Sequence, residues 1–460
     1  EGFEVDLIKI DGKTAEISNG DQANQIKTDL DKGEYVVEKI EKKERNIYPH
    51  PPFKTSTLQQ AASNVMGWSA KKTMQVAQKL YEKGAITYHR TDSLHIVDTA
   101  VAMIRELIKT KFGPENLPEK EVYYKTGGKV VAQEAHEGIR PTIIENEKLI
   151  IENSERDEQK LYELIWRRTI ACQMAPAKVD QTNAYVKCDK YQLRAVGEIM
   201  KFASWKKLYK EIDETVLPKI NEGEKLEKKE VKMEQKFTLP PARFNDASLV
   251  KELEKRGIGR PSTYAPTIST IIVRGYVERK EKKFYATQIG ISVTEFLVKN
   301  FPKELDFDFT AKMEANLDEV ASGEKDWQKV LSDFYGPFDE DVKKAGDAER
   351  TKIPVEKTGE KCPDCKEAMP AGRQGEIVIR SGKFGKFLSC SRFPECKYTA
   401  KLIIYVEGAK CEKCAGRIVV KKTKTGRDFY GCENYPNCDW ASWTKPKSLD
   451  EDPAPVSDNK

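Results

Sequence analysis

Eight of the ten cysteines lie beyond residue 361, in two copies of one spacing. The copies are Cys362-x2-Cys365-x24-Cys390-x5-Cys396 and Cys411-x2-Cys414-x17-Cys432-x5-Cys438. Segments this short bury too little apolar surface to fold well without a staple. Close cysteine pairs separated by a β-rich stretch fit tetrahedral zinc ligation. Disulfides are the competing use, and they are rare in a reducing cytosol. The spacing therefore predicts two structural Zn²⁺ sites in tandem ribbons at 355–402 and 406–445. Cys172 and Cys188 have no metal spacing and read as ordinary thiols.

At 460 residues the chain is expected to form three or four domains. A third of its residues are charged, which suits large wetted surfaces and a monomer. No apolar run approaches the roughly 18 residues of a membrane span. The net charge is only +5, but residues 355–447 hold 19 Lys and Arg against 11 Asp and Glu. A modest basic surface therefore gathers where the cysteines are.

Short alternating runs at Val5–Ile10, Thr14–Ser18 and Tyr35–Ile40 predict antiparallel strands. The dipeptides Asp11-Gly12 and Asn19-Gly20 read as turns between them. Alternation returns over 178–236, so 1–49 and 178–236 are expected to form one discontinuous β domain. The helical segment 50–177 would be inserted into it after the Pro49–Pro52 joint. Within that segment Leu58, Ala61, Ala62 and Val65, then Met74, Ala77 and Leu80, recur at helical spacing. Ser69 is placed to cap the second helix. Helical pattern resumes near 97–110 and 155–172. A second helix-turn-helix is expected from Asn245, with Gly257-Ile258-Gly259 as its turn and a hairpin wing at 275–286. Further helices are expected near 293–300 and 311–321, within a winged-helix-like domain at 237–350. The polar tail at 446–460 reads as disordered.

Four constellations carry chemistry. The first is Lys83-Gly-Ala-Ile-Thr-Tyr88-His89-Arg90-Thr91-Asp92-Ser93-Leu94-His95. A tyrosine hydroxyl can attack a phosphodiester and hold the cleaved strand covalently, although it ordinarily ionises only near pH ~10. A guanidinium beside it can bind the phosphate. The plainer alternative is a strand-end tyrosine and a surface arginine. The second is Ala132–Pro141, where His136 and Arg140 share a face if the segment is helical. A metal role for His136 with Glu134 and Glu137 is a lesser alternative. The third is Gly257–Tyr264, where Arg260 and Thr263 stand at a helix start suited to anions, with Arg274 at the far end. The fourth is aromatic residues among basic ones in the ribbons. Phe384, Phe387, Phe393 and Tyr398 accompany the first, and Phe429, Tyr430, Tyr435, Trp440 and Trp443 the second. Bases stack on such rings with little sequence preference, though a small ribbon also needs aromatics as core.

Together these residues resemble the type IA DNA topoisomerases of bacteria. The matching stretches are Pro52–Ala62, Leu80–Gly84 with Ile86–Ser93, Ala132–Pro141, Arg256–Tyr264 and Arg274–Val277. The resemblance implies a multidomain α+β fold: an antiparallel β arch with the helical, winged-helix-like domain inserted, a second winged-helix-like domain and two zinc ribbons. It implies that Tyr88 is the nucleophile of a 5′-phosphotyrosine intermediate, that Arg90 contacts the scissile phosphate and that His136 lies in the same site. Arg140, Arg260, Thr263 and Arg274 would contact DNA. The partner would be single-stranded, negatively supercoiled DNA, in the cytoplasm with the nucleoid, and RNA polymerase is a candidate second partner. His89 stands where the family usually has Met. The family's Mg²⁺ ligands belong to an N-terminal domain that does not fit before Glu1, so the chain reads as truncated and is expected not to relax DNA alone. Two other readings compete: a tyrosine recombinase, and a non-catalytic zinc-ribbon, winged-helix protein that binds single-stranded DNA.

Overall fold

The computed structural model describes residues 2–125, 136–148, 154–209, 214–347, 355–365, 374–382, 385–422 and 428–446. The chain divides into two compact units, Glu1–Thr351 and Lys352–Lys460. Helices mix with antiparallel sheets. Among the described residues, no helix is long and apolar enough to cross a membrane.

The first unit opens with β1 (Asp6–Ile10), β2 (Lys13–Thr14), α1 (Gly20–Lys32) and β3 (Tyr35–Ile47). Two sequence expectations change here. The Thr14–Ser18 run is extended only at its start, and Asn19-Gly20 begins a helix instead of making a turn. The Asn19 side chain accepts from Gln22 N, and Ile26 and Leu30 bury the inner face of α1. After the helical segment come β4 (Ala177–Cys188), β5 (Tyr191–Phe202) and β6 (Lys225–Leu226). One six-stranded sheet results, in the order β2-β1-β5-β4-β3-β6. Strands from both sides of the helical segment thus pair directly, with Val36 opposite Lys187 and Ile47 opposite Ala177.

Between those strands lie α2 (Thr55–Met66), α3 (Ala70–Glu82), α4 (Asp98–Phe112) and α5 (Arg156–Ala171). Gly67 ends α2 in the left-handed conformation, and Ser69 caps α3 by accepting from Lys72 N. Leu58, Leu80, Ile104, Leu161, Ile165 and Trp166 make the interior of this body. Its root is fastened to the sheet. Trp205 Nε1 donates to Ile47 O (2.9 Å), and the Arg168 guanidinium lies over Phe53 at 4.2 Å.

Next come α6 (Asp246–Arg256), α7 (Tyr264–Val273) and a hairpin of β7 (Val277–Lys280) with β8 (Lys283–Ala286). Then α8 (Gln288–Asn300), α9 (Phe307–Ala321) and α10 (Trp327–Gly346) follow. α10 is not among the helices expected from the sequence, and it continues through Pro337. α2 and α6 run antiparallel. Lys54, just before α2, pairs with Glu254 near the end of α6, at 2.5 Å. At the opposite end Asp246 accepts from Ala70 N, the first amide of α3 (3.0 Å), and pairs with Arg279 of the hairpin (2.7 Å).

The second unit holds two four-stranded sheets. β9 (Glu356–Lys361), β10 (Glu376–Gly382), β11 (Gly385–Cys390) and β12 (Thr399–Lys401) form the first. β13 (Ile404–Lys410), β14 (Arg417–Lys422), β15 (Asp428–Cys432) and β16 (Ala441–Ser442) form the second. The tail beyond residue 446, where disorder was expected, lies outside the described residues.

Candidate active site and zinc clusters

The Tyr88 segment leaves α3 without regular structure, and its burial alternates. His89 and Thr91 are buried and Thr87 is half-buried, whereas Tyr88 and Arg90 are exposed. Tyr88 is 37% exposed. Its ring lies 5.4 Å from that of His136, 5.2 Å from that of Tyr81 and 5.4 Å from that of His89. Tyr88 and His136 are therefore neighbours although 48 positions separate them. Arg90 makes no side-chain hydrogen bond or ion pair among the described residues, which leaves its guanidinium available to an anion.

Hydrogen bonds from both sides hold this segment. Thr87 N donates to Arg140 O (2.9 Å), Arg140 N donates to Thr87 Oγ1 (3.0 Å), and that hydroxyl donates to Gly138 O (2.8 Å). On the other side Thr91 N donates to Thr55 Oγ1 (2.9 Å) and Thr55 N to Thr91 O (2.9 Å). Sequence reading missed Thr55, Thr87 and Thr91. Hydroxyls flanking an alternating exposed pair are a weak signal, and their partners lie far off in the chain.

The His136 segment departs from the helical expectation. Residues 136–141 are extended, with bridges pairing Phe53 to Ile139 and Ile86 to Pro141. The helical turn that would have related His136 to Arg140 is therefore not formed. The Arg140 guanidinium instead grips Glu137 through both carboxylate oxygens, at 2.7 and 3.1 Å. Residues 132–135, including Glu134, lie outside the described residues.

His89 is 1% exposed, and neither ring nitrogen has a hydrogen-bond partner among the described residues. Burial chiefly, then Arg90, pushes its pKa down to about 4, while Glu82 opposes the shift. It is a neutral imidazole at neutral pH.

Arg260 and Thr263 precede α7, and Arg274 follows it, roughly 16 Å farther along the axis. Arg260 is held by Asp318 (2.7 Å) and lies 3.7 Å from Glu314, both on α9. Thr263 Oγ1 accepts from Arg260 N at 2.8 Å. Arg274 is exposed, with no side-chain partner among the described residues. Burial, above all, raises the Tyr264 pKa.

In the second unit the sulfurs of Cys362, Cys365, Cys390 and Cys396 lie within 4.8 Å of one another, as do those of Cys411, Cys414, Cys432 and Cys438. Individual separations are 3.8, 3.5, 3.6 and 3.4 Å. These are far beyond a disulfide bond. They match the roughly 3.8 Å edge of a tetrahedron with zinc–sulfur bonds of about 2.3 Å. Arg392 N donates to Cys390 Sγ and Asn434 N to Cys432 Sγ, both at 3.4 Å, so the two sites share one turn that favours thiolates. The donor set fits structural zinc. Among the described residues, these two cysteine groups are the ones where three or more such side chains converge.

The ribbon aromatics divide. Tyr398, Tyr430 and Trp440 pack against the cysteine cores. Phe387 and Phe429 are half-buried, and Phe384 lies outside the described residues. Phe393, Tyr435 and Trp443 are exposed, at 53%, 66% and 58%. Arg380 lies over Phe393 (5.5 Å) and Lys421 over Tyr435 (4.7 Å), the same pairing in each ribbon.

Residues 4–332 match the family model described as DNA topoisomerase. Residues 359–403 and 408–447 each match the topoisomerase DNA binding C4 zinc finger. DNA topoisomerase 1 of Campylobacter jejuni is 41% identical over 476 residues, covering 97% of this chain and 66% of that protein. The structure of full-length topoisomerase I from Thermotoga maritima is similar with a TM-score of 0.65 at 33% identity, over 87% of this chain and 65% of that one. The chain thus spans about two thirds of the length of these relatives. With the family match running through the sheet, the Tyr88 body and the helices beyond it, the chain belongs to the bacterial type IA DNA topoisomerases.

Proposed function

We propose that the chain carries the strand-cleaving tyrosine and the DNA-holding modules of an ATP-independent topoisomerase. Tyr88 Oη attacks a backbone phosphorus, and the bond from phosphorus to the 3′ oxygen breaks. The phenol loses a proton, the leaving 3′ oxygen gains one, and the 5′ phosphate stays on the tyrosine. Because the ester keeps the phosphodiester's energy, the 3′ hydroxyl can reseal the strand once the other strand has passed. Arg90 binds the scissile phosphate and His136 a neighbouring oxygen. The observation that carries this reading is an exposed tyrosine beside His136, two residues from an arginine with no side-chain hydrogen bond or ion pair among the described residues.

The rest of the molecule is read as DNA-holding parts. The sheet is an arch that frames the passing strand, and the two helix pairs are winged-helix-like. Arg274 is available to a backbone, while Arg140 and Arg260 reach DNA only by exchanging their carboxylate partners. Phe393, Tyr435 and Trp443 are stacking platforms for single-stranded DNA. The substrate is negatively supercoiled DNA of the nucleoid, and RNA polymerase is a second partner of the ribbons. Since the chain spans only about two thirds of the length of its relatives, relaxation of a plasmid by this chain alone is not expected.

The test is covalent capture of a 5′-labelled and, separately, a 3′-labelled single-stranded oligonucleotide. Capture of the 3′-labelled fragment, abolished by Tyr88→Phe with binding retained, is expected. Transfer of the 5′-labelled fragment would mean recombinase-type chemistry. Tight binding without capture, even when the remaining third of a relative is supplied in trans, would leave a DNA-binding protein.

A further inference from the structure

We propose that Thr55 is a positioning residue, whose hydroxyl sets the Tyr88 segment against the start of α2. The inference rests on the reading of Tyr88 as nucleophile. Thr55 is completely buried and is the first residue of α2. Its hydroxyl accepts from Thr91 N (2.9 Å) and donates to His89 O (2.8 Å), with Thr91 O at 3.0 Å. Its own amide donates to Thr91 O. One threonine thereby engages the peptides on both sides of Arg90.

Capping α2 does not require this hydroxyl. The helix start is closed by the Thr57 hydroxyl, which accepts from Lys54 N at 3.0 Å. The Thr55 oxygen is directed instead to a stretch 34 to 36 positions away. Thr87 makes the matching attachment to residues 138–140. Tyr88 and Arg90 are thus held between two threonine clamps, each of which pins an inward-facing neighbour and leaves the exposed pair outward. A flexible loop would spread the phenolic oxygen over many positions, and misplacement by about 1 Å costs a reaction heavily.

The clamp also links two parts of the fold. Lys54, the residue before Thr55, pairs with Glu254 of α6. A shift of α2 along α6 is therefore carried through Thr55 to the peptide bearing the tyrosine. Thr55 touches no reacting atom; it acts through backbone position.

Two substitutions in the full 460-residue chain separate this role from simple packing. Thr55→Val keeps the shape and removes the hydroxyl, whereas Thr55→Ser keeps the hydroxyl. Amide exchange over 88–93 and the fluorine spectrum of 3-fluorotyrosine at position 88 report on the segment without any need for turnover. In Thr55→Val, exchange at Thr91 is expected to rise about tenfold or more, with a broadened or split fluorine line and unchanged protection in α5 and α7. Thr55→Ser is expected to match the parent chain in both. If Val prevents folding, Thr55→Ala takes its place. An unaltered segment in Val or Ala, failure of Ser to restore it, or loosening that spreads through α5 would overturn the proposal. Failure of oligonucleotide capture by the parent chain, with the remaining third of a relative supplied in trans, would count against the nucleophile reading and leave the clamp result standing.

Discussion

At the scale of single residues, the phenol of Tyr88 and the imidazole of His89 face opposite environments although they are adjacent. The phenol is wet, beside His136; the imidazole is dry and without a hydrogen-bond partner among the described residues. His89 therefore makes stability depend on pH. Its pKa falls from about 6.5 unfolded to about 4 folded, so the unfolded chain takes up the proton first as pH drops. The neutral form's contribution is complete above pH 6.5, declines between about 6.5 and 4, and levels off below. A shift of this size corresponds to about 3 kcal/mol. His89→Met, which restores the residue usual in the family, is expected to flatten that decline. Urea unfolding of the two proteins at pH 7, 5.5 and 4 checks it; parallel curves would show that His89 is not responsible. For Arg90, a guanidinium with no side-chain partner among the described residues, Arg90→Ala is expected to slow oligonucleotide capture by about one to two orders of magnitude while leaving the melting temperature within about a degree.

At the scale of elements, Asp246 stands where two helix N-termini meet. It lies in the first turn of α6, accepts the first amide of α3 and holds Arg279. A carboxylate is favoured by both helix dipoles. Asp246→Ala would leave a buried amide and a guanidinium without partners, and is expected to lower stability by about 2–4 kcal/mol. Arg279→Ala, at a half-exposed site, is expected to cost about 1 kcal/mol or less. Equal losses in chemical denaturation would contradict this division. α1 and α10 show where local reading fails. Asn19 was both a turn signal and a good helix cap, and only the burial of Ile26 and Leu30 decides between them. Pro337 is a breaker by propensity, yet α10 continues through it while Phe334 and Phe338 stack at 5.2 Å. The segment at 136–141 fails for a third reason: its backbone bonds go to residues 53, 87 and 95, which lie outside any local window.

At the scale of the whole molecule, the second unit folds around its cysteines. The full chain is expected to bind two Zn²⁺, one per cluster, by elemental analysis. Cys414→Ser is expected to reduce the content to about one. Chelation should melt the ribbon strands while the first unit keeps its helical circular dichroism, because no zinc ligand lies in the first unit among the described residues. Loss of helix on chelation would argue that the units depend on one another.

The sequence by itself determined what depends on near neighbours. Cysteine spacing defined both clusters, periodicity and caps defined α2, α3, α5 and α6, and the order of residues around Tyr88 singled out the proposed nucleophile. Only the tertiary structure decided which charges remain available. Arg140 and Arg260 are taken by Glu137 and Asp318, while Arg90 and Arg274 are not. It also decided that strands 130 or more residues apart share one sheet and that Thr55 reaches Thr91. The physical reason is reach: caps and metal knuckles are settled within a few residues, whereas each buried polar group finds its partner only after the whole chain has packed.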